Sequence, residues 1–169
     1  MKKLVLIVFV AVFGALNANA QEVDSLEIDQ KSIIDSLSME LTKLRHEYDF
    51  LQCDYELFQL QSKLQAFLNE VNIKSNSVLI TYYNNRFDVD LYISYLDNYN
   101  SCVELFDAMK NSVALKKRLI EAYSDKFSYL SNDYFSSVYY NLLDGYLTQI
   151  QNALDYYKIT IDTYKKSRR

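Results

Sequence analysis

Residues 48–60 read YDFLQCDYELFQL, with apolar or aromatic side chains at Tyr48, Phe50, Leu51, Cys53, Tyr55, Leu57, Phe58 and Leu60. One helix face cannot hold that many, so this segment decides how the chain packs. Followed backwards, the pattern becomes Ile34, Leu37, Leu41, Leu44, Tyr48, Leu51, Tyr55 and Phe58, alternately three and four residues apart, which is a sustained heptad seam. Followed forwards, Phe50, Cys53, Leu57, Leu60, Leu64, Phe67 and Val71 repeat the same spacing, while the first seam runs out into the polar Ser62, Gln65 and Asn69. At about 100° per residue, Leu60 and Leu51 point to opposite sides of a helix. The segment therefore marks either a helix that changes its buried face partway along or a break in that helix.

The rest of the chain sets the fold class. There is no proline, and beyond residue 20 the only glycine is Gly145. Hairpin turns that need positive φ and glycine-rich phosphate cradles cannot then be built in the usual way. Strict two-residue alternation is scarce, and the pattern predicts an all-α protein: an antiparallel three-helix bundle forming one domain over 21–169. The predicted helices run over 22–72, 78–130 and 134–167, with NIKSNS at 72–77 as the first turn and Ser131, Asn132 or Asp133 capping the third helix. A split at Asn84-Asn85 or at Asn98-Tyr99-Asn100 would make four helices.

The second predicted helix carries a main apolar stripe through Leu79, Tyr82, Val89, Ile93, Leu96, Tyr99, Val103, Phe106, Met109, Val113, Ile120, Tyr123, Phe127 and Leu130. A weaker stripe of Leu91, Leu105 and Leu119 suggests that this helix lies between neighbours. The third carries Phe135, Val138, Leu142, Tyr146, Ile150, Ala153, Tyr157, Ile161 and Tyr164, with Gly145 in its interior to admit a neighbouring aromatic ring. At about 1.5 Å per residue the first helix is about 76 Å long and the third about 50 Å. The first is expected to overhang, with 57–71 inside the bundle and 34–58 meeting another copy, a folded-back segment or a foreign helix.

The ends of the chain bear on compartment. The N-terminus MKKLVLIVFVAVFGALNANAQE has two lysines, an apolar run and Ala18-Asn19-Ala20 before Gln21, the pattern of a cleaved signal peptide over 1–20. No cysteine follows the run to carry a lipid, so the mature protein is expected to be exported without a stable membrane anchor, to the periplasm or exterior of a Gram-negative-type bacterium. Removing Lys2 and Lys3 from the 18 basic residues leaves 16 against 22 acidic ones, a net charge of −6. That sign argues against nucleic acid as a partner. Glu22, Asp24, Glu27 and Asp29 at one end, and Lys165, Lys166, Arg168 and Arg169 at the other, match the poles of helix dipoles.

Catalytic signatures are lacking. HEYDF at 46–50 has half of a zinc-protease motif, but Phe50 stands where the second His belongs, and His46 is the only histidine. There is no Gly-x-Ser-x-Gly elbow, and carboxylate pairs two residues apart face different sides of a helix. A hairpin turning near residue 74 sets Tyr95 level with Cys53 and leaves Cys102 about 10 Å further along; a Cys53–Cys102 disulfide needs the turn near 77 or 78. Bridged and separate thiols both stay open. The 16 tyrosines are the unusual feature, and the doublets Tyr82-Tyr83, Tyr139-Tyr140 and Tyr156-Tyr157 allow one ring in the core and its neighbour at the rim.

These readings lead to an expected function: a non-enzymatic interaction or structural protein without cofactor or metal, which recognises itself as a homo-oligomer, or another envelope protein, through the seam Ile34, Leu37, Leu41, Leu44, Tyr48, Leu51, Tyr55 and Phe58. The alternative is a binding module whose tyrosines line a groove between the second and third helices and hold a small ligand or saccharide.

Overall fold

The computed structural model describes residues 23–84, 87–124 and 132–167. The predicted signal peptide lies outside them, as do Glu22, Arg168, Arg169, Phe127, Leu130 and the cap candidate Ser131. The side chains of Asp24, Glu27, Asp29, Tyr123, Asn132 and Asp133 are also outside the described part. The protein is an all-α antiparallel three-helix bundle, with no strand among the described residues. Helix α1 spans Val23–Asn84 and α2 spans Val89–Ser124. Helix α3 is built in three successive pieces: α-helical Asn132–Phe135, π-helical Ser136–Tyr140 and α-helical Asn141–Lys166.

Two units divide between His46 and Glu47. In the first, α1 is a helix whose described side chains from Lys31 to Arg45 are all exposed. Among the described residues, every buried one lies in the second, beginning with Leu57.

The first turn lies elsewhere than predicted. Helix α1 runs through 72–77 without interruption and ends at Asn84, so Val78, Leu79, Tyr82 and Tyr83 belong to α1 and not to the second helix. The reason is the stripe: Val71 and Val78 are one heptad apart and fully buried, and Ser75 fills the position between them, with its Oγ 3.5 Å from Thr160 Oγ1. Ser77 and Thr81 return their hydroxyls to the carbonyls of Lys74 and Ser77. Their polar groups are satisfied inside the helix, and core packing outweighs a local turn preference of a few tenths of a kcal/mol per residue. The true cap is Asp88, whose Oδ1 accepts the backbone N–H groups of Asp90 (2.8 Å) and Leu91 (3.0 Å). Asn98 and Asn100 leave α2 unbroken, so the bundle has three helices and not four.

Cross-links fix the topology. Thr81 with Tyr95 and Lys74 with Cys102 set α1 antiparallel to α2 about a centre near residue 88. Tyr157 with Tyr95 and Tyr140 with Lys117 set α3 antiparallel to α2. Asp54 with Tyr139 and Ser75 with Thr160 make α3 parallel to α1 at a constant offset of 85 residues.

Two predicted stripes shift. In α3, Tyr139 and Leu143 are buried while Val138 and Leu142 are exposed, because the π-helical turn holds one more residue per hydrogen bond and rotates the stripe by one position. In α2, Leu91, Leu105 and Leu119 are exposed, so the second face of that helix is not covered as expected. At Gly145 an added Cβ would meet nothing within 4 Å, so no close approach of an aromatic ring requires glycine there.

Candidate functional site

The two heptad sets on α1 have opposite fates. Phe50, Cys53 and Leu60 pack against the core, and Leu57, Leu64, Phe67 and Val71 lie within it. All eight residues of the other set, Ile34, Leu37, Leu41, Leu44, Tyr48, Leu51, Tyr55 and Phe58, are exposed, from 40% at Leu37 to 70% at Leu41. Residues 48–60 thus form one continuous helix with two apolar faces, and there is no break within them. On the inward face, Phe50 packs with tilted rings at 5.2 Å against both Tyr134 and Phe135 of α3.

Behind this face the polar contacts hold the helices in register. Asp54 Oδ1 accepts the hydroxyls of Tyr139 (3.0 Å) and Tyr134 (3.2 Å), and Glu56 pairs with Lys116 of α2. Lys117 bridges to Asp144 at 2.7 Å and lies 4.9 Å from the centre of the Tyr140 ring. Burial, reinforced by the Asp54 carboxylate, pushes the Tyr139 hydroxyl up to about 12. At neutral pH Tyr139 stays a neutral hydrogen-bond donor to this carboxylate.

The six doublet tyrosines lie along the bundle and do not converge. Tyr82 is half-buried and Tyr83 exposed, with the two rings edge to face at 5.1 Å; Tyr157 is buried and Tyr156 exposed. In these two pairs one ring enters and one faces out, as expected. Tyr139 and Tyr140 both turn inward, because the π-helical turn rotates less per residue than an α-helix. Along α3, the 139–140 and 156–157 pairs are separated by about 26 Å.

Between α2 and α3 the rings pack on one another. Tyr99 meets Tyr157 edge-on at 5.7 Å and Tyr95 meets Tyr164 at 5.9 Å, while Phe87 closes the end against Tyr164 at 5.3 Å. The Tyr157 hydroxyl donates to Tyr95 O, and the Tyr164 hydroxyl accepts the Asp88 N–H at 2.9 Å. This is how a core uses tyrosine: the ring area is buried and the polar tip is satisfied. One open hollow, lined by Lys31, Ser32, Asp35, Ser36 and Met39 of α1, contains no aromatic side chain.

Both cysteines are free. With the turn near residue 88, Cys102 sits level with Lys74, whose Nζ is 3.6 Å from its sulfur, and Cys53 lies 21 residues, about 31 Å, further along α1. The separation rules out a Cys53–Cys102 bridge. The observed turn near residue 88 lies well past the 77 or 78 that a bridge needs. Burial raises both thiols, with nearby Lys116 and Lys74 only partly offsetting it. Among the described residues, no three His, Cys, Asp or Glu side chains come together to hold a metal ion, and no helix is long and apolar enough to cross a membrane.

Sequence reasoning missed the Asp54–Tyr134–Tyr139 contact, because two hydroxyls 80 and 85 residues from one carboxylate leave no local signal. It also missed Asp88 as a cap, although Asp preceding an apolar-periodic run is a start signal that could have found it. No protein-family model, curated protein or solved structure matches this chain.

Proposed function

We propose that the protein is an exported, non-enzymatic interaction protein of a bacterial envelope, which recognises a partner helix along the 34–58 seam of α1. The observation that carries this reading is the exposure of all eight seam residues on a helix whose other heptad set is covered by the chain itself. A row of eight large apolar side chains at strict heptad spacing is what a coiled-coil partner requires, whereas singly scattered exposed apolar residues would need no explanation. The signal-like N-terminus supplies the compartment and the acidic balance disfavours nucleic acid. Edge-to-face ring packing between α2 and α3 weighs against the small-ligand groove.

The decisive variant is Leu41→Asp with Leu51→Asp. Both side chains are exposed, so the thermal melt should stay within about 1 kcal/mol of the unsubstituted protein. Complexes that the unsubstituted protein forms, measured by light scattering, should be lost. Complexes that survive the double substitution would refute the seam as the recognition face.

A further inference from the structure

Resting on that reading, we infer that the partner on the seam is a second copy of this chain, parallel and in register. With Ile34, Leu41, Tyr48 and Tyr55 at heptad position a, and Leu37, Leu44, Leu51 and Phe58 at d, the flanking positions of α1 carry an asymmetric set of charges. Position g holds Glu40, Glu47 and Asp54, all acidic, and position e holds Ser38, Arg45, Gln52 and Gln59, whose only charge is positive. Glu40 and Arg45 are both exposed and five residues apart. In a parallel pair, each g residue meets the e residue five positions later on the other copy. Glu40 of each copy then meets Arg45 of the other, so one pair of helices contains two such contacts.

The competing arrangements are poorer. Turning one copy end for end brings g against g, which sets the acidic Glu40, Glu47 and Asp54 of the two copies facing one another. Sliding a parallel copy by one heptad keeps a single acid–Arg45 contact and strips the end layers of their apolar partners. The seam is also compatible with the fold of each copy, because the covered set on α1 falls at positions c and f, opposite a and d.

The test uses the purified protein and three sets of variants. Leu37→Cys and Leu51→Cys, each made in a Cys53→Ser/Cys102→Ser background, should each form a disulfide with its own counterpart under mild oxidation, since only a parallel in-register pair opposes both positions to themselves. Glu40→Arg or Arg45→Glu alone should weaken association roughly tenfold, and an equal mixture of the two should restore it, because like-charge contacts within each variant become opposite-charge contacts between them. Cross-links that fail for each variant alone but form when Leu37→Cys is mixed with Tyr55→Cys, the a position it would face in a head-to-tail seam, would overturn the inference while the seam reading survives. A monomer at submillimolar concentration would overturn the second copy as partner and leave the seam for a foreign helix. A dimer unaffected by Leu41→Asp/Leu51→Asp would overturn both.

Discussion

Leu51 and Leu64 belong to two heptad patterns on the same helix, yet Leu51 is 64% exposed and Leu64 is fully buried. The stretches around them are alike in spacing and residue type. What differs is that α2 and α3 cover the set containing Leu64, with Phe135 and Tyr139 among its neighbours in the core. Apolar periodicity states that a face wants covering, and it is silent on what covers it.

That contrast can be tested by truncating both sides. Leu64→Ala should cost about 2–5 kcal/mol, read as a fall in the urea midpoint, whereas Leu51→Ala should stay within about 0.5 kcal/mol when the protein is dilute enough to be free of partners. Equal costs at the two sites would mean that the seam has a partner within its own chain.

Alkali should act on the covered side. Tyr139, Tyr140 and Tyr157 are each pushed up to about 12, chiefly by burial, with Asp54, Glu121 and Cys102 respectively adding to the effect. Their folded values lie above the unfolded value near 10, so the unfolded chain loses protons first as pH rises. The stability that these groups contribute is full below pH about 10 and disappears by about 12. Helical signal followed against pH should fall across that window, and Tyr157→Phe should reduce the loss.

Smaller effects separate local from tertiary causes. Asp88→Ala removes the side-chain acceptor for two backbone N–H groups at the start of α2 and should cost about 1 kcal/mol in a thermal melt. Gly145→Ala should raise stability by about 1 kcal/mol, since the helix gains propensity and the added methyl meets open space. If that substitution destabilised the protein, the glycine would have a packing role after all.

The outcome at particular residues shows how much was legible in advance. The helical class, the two faces of α1 and the inward or outward choice at Tyr82-Tyr83 and Tyr156-Tyr157 follow from spacing, because helical periodicity is local. The turn was misplaced at 72–77 because Asn and Ser were read for their local preference, while Val71 and Val78 held the segment helical through contacts distant in sequence. Of the pair read as a possible kink, Asn84 is the last residue of α1, and Asn85 lies outside the described residues. Val138 and Leu142 were assigned to the core because the register of α3 was extrapolated from an ideal helix, and the π-helical turn at Ser136–Tyr140 rotates the stripe.

By itself, then, the sequence determined the all-α class and the pair of opposed apolar stripes on α1, since both depend on residue type and on the pitch of a helix. Only the tertiary structure decided which stripe is covered, where the chain turns and that Cys53 and Cys102 stay apart. Those outcomes depend on contacts such as Asp54 with Tyr139 and Asp88 with Tyr164, whose partners lie 85 and 76 residues apart. No local pattern encodes contacts at that separation, because they form only when three helices meet in a common register.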